Sequence, residues 1–348
     1  MTRLQLSVLD QSPVRQGGSA REALLATIAL AQAADRLGYV RYWLAEHHNT
    51  GTLASASPEV LAAAVAAATS AIRVGTGGVM LTHYAALKVA EVFRLLEALY
   101  PGRIDMGLGR APGSDGATAR ALEHGPGALP LEAYPLQVAD VLAYMSDGVG
   151  AEHPHHGIRA IPAGPGMPEP WLLGSAWDSA RFAAEQGLGF AFAQFISPAG
   201  GERVVAEYRA RFRPSPWLAA PRVHIAVSAL CADTTSEARR LGMSRHLMRL
   251  RRQQGRDERA GVPTPEEALA TEYTDAEWEY IRYQQSLAVE GEPETVRAGL
   301  EELAAQFGTD EVMVVTITHD YAARARSYEL LAQACGLQPR AVSHRPMP

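Results

Sequence analysis

Trp43-Leu44-Ala45-Glu46-His47-His48-Asn49 closes a strand-like run on an acid and two imidazoles before the chain enters a polar loop. Ile72-Arg73-Val74-Gly75-Thr76-Gly77-Gly78-Val79-Met80 reads as a second strand, and Gly102-Arg103-Ile104-Asp105-Met106-Gly107-Leu108-Gly109-Arg110 as a third, each ending in groups suited to binding. Three successive strands that send functional ends the same way predict a barrel.

The flanking segments repeat the rhythm. A strand over 4–9 precedes a helix opened by Ser19 and stopped by Gly38; Ser57-Pro58-Glu59 starts the next helix with an N-cap and a first-turn proline. Further strands are expected over 40–45, 103–109, 171–173, 189–193, 222–231 and 311–316. The helices between them fall over 85–99, 136–145, 179–186, 201–212, 293–307 and 321–333. Eight parallel strands alternating with helices make an α/β fold of the TIM (β/α)8 barrel class. Pro and Gly scattered through 123–170 mark a surface excursion. The segment 234–290 exceeds one barrel helix, and its Arg, Glu and aromatic residues predict inserted helices, a lid over one rim after the seventh strand. Residues 337–348 read as a loose tail.

A chain of 348 residues, 47% hydrophobic and 20% charged, buries a large core, and residues 1–348 are expected to form one domain. Its net charge of -6 disfavours nucleic acid as a partner. The one basic cluster, Arg245 to Arg252, sits inside a helical pattern. Cys231 and Cys335 lie in apolar surroundings and are expected as buried free thiols, as in a reducing cytoplasm. With no leader-like start and no apolar run long enough to span a bilayer, a cytoplasmic protein without membrane contact is expected.

In such a barrel, groups after the C-terminal strand ends face the site, which selects His47, Gly77, Gly78, Arg110, Gly174 and Ser175. Adjacent strand residues point to opposite faces, so His47 and His48 do not readily share a metal ion. Gly75-Thr76-Gly77-Gly78 is either a weakened strand end or a side-chain-free platform for a planar ligand. Arg110 is suited to clamp a phosphate, or to pair with Asp115. Leu173-Gly174-Ser175-Ala176-Trp177-Asp178-Ser179 leads a strand into a helix N-terminus that attracts anions, with Ser175, Asp178 and Ser179 as alternative caps.

Taken together, Glu46-His47-His48, Gly75 through Leu81, Ala90-Glu91 through Leu99, and Pro101-Gly102-Arg103 through Gly109-Arg110 resemble the bacterial luciferase-like flavin-dependent monooxygenase superfamily. The string from Tyr100 to Asp115 is similar to its single-chain branch of natural-product-tailoring oxygenases. The resemblance implies reduced FMN (FMNH2) delivered by a separate flavin reductase, O2, and oxygenation of an apolar or aromatic small organic molecule through a flavin C4a-(hydro)peroxide. It implies that His47 assists as base or proton donor, and that Gly77 and Gly78 join by a non-prolyl cis peptide against the isoalloxazine ring. It also implies that Arg110, Ser175 and Ser179, beside Gly174, contact the phosphate. A homodimer paired through helices around 60–68 is expected. The luciferase catalytic subunit carries a cysteine at the place of Gly109 and an acid at that of Gly174, so light emission and aldehyde specificity are not implied. Relatives that use the deazaflavin F420, or that act as non-catalytic flavin-binding partner subunits, give the alternatives.

Overall fold

The computed structural model describes residues 3–340 apart from 112, 123–128, 147, 165 and 257–259. Its strands are β1 (Gln5–Asp10), β2 (Arg41–Leu44), β3 (Arg73–Thr76), β4 (Val79–Met80), β5 (Ile104–Gly109), β6 (Glu169–Gly174), β7 (Gly189–Ala193), β8 (Val223–Cys231), β9 (Val289–Gly291) and β10 (Glu311–Val315). Strands β1, β2, β3, β5, β6, β7, β8 and β10 pair in that order, all parallel, and β10 closes the ring by pairing with both β8 and β1. This is the expected TIM barrel. Nearly every residue of β2, β5 and β8 is buried, because helices cover the sheet outside and side chains fill it inside.

The helices are α1 (Ala20–Leu37), α2 (Pro58–Ala68), α3 (Ala86–Leu99), α4 (Gly116–Leu122), α5 (Tyr134–Met145), α6 (Trp177–Glu185), α7 (Gly201–Arg211), α8 (Thr235–Gln253), α9 (Pro265–Ala270), α10 (Asp275–Ser286), α11 (Pro293–Phe307) and α12 (Tyr321–Ala334). Their ends follow the local chemistry. Ser19 and Glu22 form a reciprocal capping box, and Gly38 ends α1 at a φ of 91°, where a Cβ is unfavourable. The apolar outer faces of the strands pack against these helices; a second cluster, Leu9, Trp43, Trp171, Ala191 and Met313 among its members, fills the barrel interior.

Three expectations change in detail. The strand read over 72–80 is interrupted: β3 ends at Thr76 and β4 resumes at Val79, with Gly77 and Gly78, joined by a cis peptide, between them. The segment 234–290 holds α8, α9, α10 and the start of β9, a short strand that pairs with β8 outside the ring. Of the tail read over 337–348, Leu337 packs on the core and the Arg340 amide donates to the Arg36 carbonyl at 2.8 Å; residues 341–348 lie outside the described residues. Cys231 and Cys335 are buried and free, and burial pushes their thiols up to about 12 and about 11. Among the described residues no helix is long and apolar enough to cross a membrane.

Candidate active site

Every second residue of a strand faces the barrel axis, and three inward layers follow. The lowest holds Arg41, Arg73, Asp105, Glu169 and Glu311, joined by ion pairs. Two residues further along come the large side chains Trp43, Trp171 and Met313. Two residues further still, β2, β3, β5 and β7 continue to Ala45, Gly77, Gly109 and Ala193, and these small residues leave the room that becomes a cavity of about 470 Å³. Cofactor-sized sites span roughly 300–1,000 Å³.

His47, Gly77, Gly78, Arg110, Gly174, Ser175 and Ser179 all line this one cavity. A Cβ on Gly78 would lie 2.9 Å from the Gly107 carbonyl oxygen, and one on Gly174 would lie 2.1 Å from the Ser179 hydroxyl, so the glycines are required by close approach as well as by the open wall they present. Arg110 does not pair with Asp115. That carboxylate accepts instead from the Ala117 and Thr118 amides, the Thr118 hydroxyl and the Asn49 side chain, and among the described residues no acid forms an ion pair with Arg110. The N-cap of helix α6 is Ala176, which supplies no side-chain cap. Its first-turn amides therefore remain available to an anion, although Asp178 in the same turn competes for that field. The Ser179 hydroxyl donates to the Ala176 carbonyl at 2.7 Å and must rotate to serve a ligand.

The acid and the two imidazoles that follow β2 divide as the strand alternation requires. Glu46 is fully buried and turns away from the cavity, where its carboxylate takes the Met80 amide at 2.9 Å, the Tyr84 hydroxyl at 2.8 Å and the His48 Nε2 at 2.8 Å. It ties the end of β2 to the chain just past Gly77–Gly78, and is a positioning residue. His47 enters the cavity, and its Nδ1 is buried without a hydrogen-bond partner. Burial, then the charges of Arg252 and His48, push its pKa down to about 4. At neutral pH His47 is therefore an uncharged ring, able to accept a proton or donate one hydrogen bond.

His224 was not singled out for this site, yet it lines the same cavity, fully buried between the rings of Trp43 and Trp171 at 4.7 and 4.6 Å. Among the described residues neither ring nitrogen has a hydrogen-bond partner, although Nδ1 lies 4.0 Å from the Glu311 carboxylate, and burial, then Arg41, push its pKa down to about 3. An unfolded histidine titrates near 6.5, so below that pH the unfolded chain takes up a proton that the folded chain refuses, until the folded value is reached. Each such ring should remove about 2 kcal/mol of stability between pH 7 and pH 5. Urea unfolding is expected to show this loss, and His224→Phe to reduce it by roughly that single-ring share; an unchanged pH slope in the variant would contradict the assignment.

The comparison with known proteins meets this geometry. The family model described as luciferase-like monooxygenase matches residues 4–311. The chain belongs to that family. A luciferase-like monooxygenase of Escherichia coli (strain K12) is 38% identical over 94% of this chain and 96% of its own length. N-acetyl-S-alkylcysteine monooxygenase of Bacillus subtilis (strain 168) is 34% identical over 95% and 98%. The crystal structure of apo-MsnO8 superposes with a TM-score of 0.87 at 38% identity, covering 97% of this chain and all of that one (100%). Two more distant structures share the fold alone: the oxygenating constituent of 3,6-diketocamphane monooxygenase from Pseudomonas putida in complex with FMN (21% identity, TM-score 0.68, 95% and 97% coverage) and an F420-dependent secondary alcohol dehydrogenase (12%, 0.64, 96% and 99%). As a family member the chain is an oxidoreductase, and the fold admits either a flavin or a deazaflavin.

The sequence does not mark as site residues the small inward Ala45 and Ala193 or the aromatic Tyr134 and Phe195 of the cavity wall. The first two carried a usable signal: small residues at every second position near several strand ends. Tyr134 and Phe195 lie on segments whose approach to the barrel mouth depends on tertiary contacts, and no local pattern marks them.

Proposed function

We propose that the chain is an FMNH2- and O2-dependent monooxygenase of an apolar or aromatic small molecule, supplied with reduced flavin by a separate reductase. The observation that carries this reading is the convergence of a glycine wall, the Arg110 guanidinium and a neutral imidazole on one cavity. Gly77, Gly78 and Gly109 leave a face free of Cβ atoms against which a planar ring system fits, and Arg110 with Ser175 and the start of α6 would hold its phosphate. Reduced flavin, when bound, supplies the electron pair that activates O2. The chain's own part is to fix the ring, to keep water out by means of Leu9, Leu173 and Phe195, and to hold an uncharged His47 ready to accept a proton at Nδ1 or Nε2 from the reacting group. The inserted helices over 234–290 serve as the lid in this reading, and a tailoring role in natural-product biosynthesis belongs to it.

Arg110→Ala is expected to weaken FMN binding ten- to a hundredfold, the usual effect of losing a hydrogen bond to a charged group, while leaving the affinity for riboflavin, which has no phosphate, unchanged. Equal losses for both ligands would place the phosphate elsewhere. Oxygen uptake with reduced FMN, and its absence with reduced F420, separates oxygenation from the hydride-transfer alternative. The exposed Val60 on α2 and the exposed Leu95 and Leu99 on α3 are the surface through which two copies would pair, and light scattering at micromolar concentration is expected to return a homodimer.

A further inference from the structure

Arg245, Arg249 and Arg252 follow one another on α8 at intervals of four and three residues, one stripe of the helix. With Met248 they face a second cavity, of about 410 Å³, that shares Gln11, His47, Phe195 and Ile196 with the first. Among the described residues, no Asp or Glu lines it, and the remainder of its wall is mainly apolar, with Leu53, Val315 and Ile317. Arg245 is only 4% exposed, and its Nη1 is buried without a hydrogen-bond partner. Among the described residues, the groups packed around Arg245 and Arg249 do not neutralise them. Arg249 donates from Nη1 to the uncharged Gln284 side chain at 2.5 Å. Glu290, at β9, lies 3.2 Å from His246, and Arg251 on the other side of α8 takes Glu267 at 2.6 Å. Burial, then Arg249, push the Arg245 guanidinium down to about 9, with Glu290 and Tyr280 opposing that shift only in part. A buried cation with an unsatisfied nitrogen costs stability unless an anion completes it.

We propose that this second chamber is the substrate subsite and that it takes an organic carboxylate, the anionic head on Arg245 and Arg249 and the apolar body against Phe195 and Ile317 beside His47. This rests on the flavin reading of the first cavity and sharpens it, because the apolar or aromatic substrate then carries an acid group. The position of His47 in both walls would put the reacting part of such a molecule next to the cofactor.

The test is calorimetric binding of benzoate and of its neutral counterpart benzamide to the intact protein, with and without FMN. Benzoate is expected to bind at least about tenfold more tightly than benzamide, and Arg245→Gln to weaken benzoate ten- to a hundredfold, with benzamide and FMN unaffected. Arg249→Gln carries the same expectation and serves where Arg245→Gln lowers the melting temperature too far for binding to be read. The proposal is overturned by equal affinities for the two probes, by no benzoate binding at millimolar concentration, or by variants that weaken FMN instead, which would assign the stripe to the cofactor. Selectivity for benzoate without any FMN binding would sink the flavin reading while leaving the anion site in place; FMN binding without selectivity would do the reverse.

Discussion

Gly78→Val is expected to abolish flavin binding, with an affinity loss of at least about 100-fold, equivalent to roughly 2.7 kcal/mol. The cause is backbone, not a side chain that can swing aside. A Cβ at this position would sit 2.9 Å from the Gly107 carbonyl oxygen, 3.1 Å from its carbon and 3.2 Å from the Gly109 nitrogen. The only relief is to move the segment between β3 and β4 away from β5, where Val79 and Met80 pair with Leu108 and Gly109. That shift carries the cavity wall with it, and overpacking of this kind costs roughly 1–3 kcal/mol of stability as well. Gly77→Ala provides the contrast, since its Cβ would first meet the Leu9 Cδ1 at 2.6 Å, the far end of a flexible side chain. The valine variant should be far worse than the alanine one in FMN titrations and in thermal melting. Two equally mild variants would mean that the glycines are not a close-contact platform.

Arg41→Ala should cause the largest loss of stability of any single change considered, about 3–5 kcal/mol by urea unfolding. Arg41 is the hub of the lowest layer: Nη1 lies 2.9 Å from Asp105 and 3.2 Å from Glu169, and Nε lies 2.9 Å from Glu311. Its guanidinium also lies over the Trp171 ring at 4.8 Å. Burial opposes the charge, but Asp105, Glu311 and Glu169 more than offset it and raise its pKa above the ordinary arginine value. Truncation leaves three carboxylates facing one another, with Arg73 beside Asp105 and Arg222 beside Glu169. Arg41→Lys is expected to recover only part of the loss, because one ammonium does not reproduce a fork that reaches Asp105 and Glu311 at once. A loss below about 1 kcal/mol for Arg41→Ala would mean that the layer is solvated and contributes no more than surface pairs do.

The barrel was legible in the sequence because two independent signals agree on it. Gly38, Ser19 and Pro58 punctuate the helices, and the runs ending at Leu44, Gly109 and Ala193 are too apolar for a half-exposed sheet. The cavity residues were legible for the related reason that a parallel barrel sends its strand ends to one side, which brings His47, Gly77, Arg110 and Ser175 together without knowledge of any contact. What strand position does not encode is the environment of each group. The choice between Asp115 and a ligand for Arg110 depends on Asp115 capping the start of α4, and the depressed pKa of His47 depends first on its burial and then on Arg252, some two hundred positions away in sequence. The role of α8 was hidden likewise. A basic run in a helical pattern looks like a solvated face until β8 and α8 set its stripe over the barrel mouth, where Arg245 is buried.

The most direct measurement of the central claim is an anaerobic titration of the intact protein with photoreduced FMN, followed through tryptophan emission, since Trp43 lines the cavity. Saturable one-to-one quenching in the native chain, lost in Gly78→Val and weakened in Arg110→Ala, is the predicted result. Folded protein that shows no saturable quenching, or a Gly78→Val variant that is quenched as fully as the native chain, would contradict it.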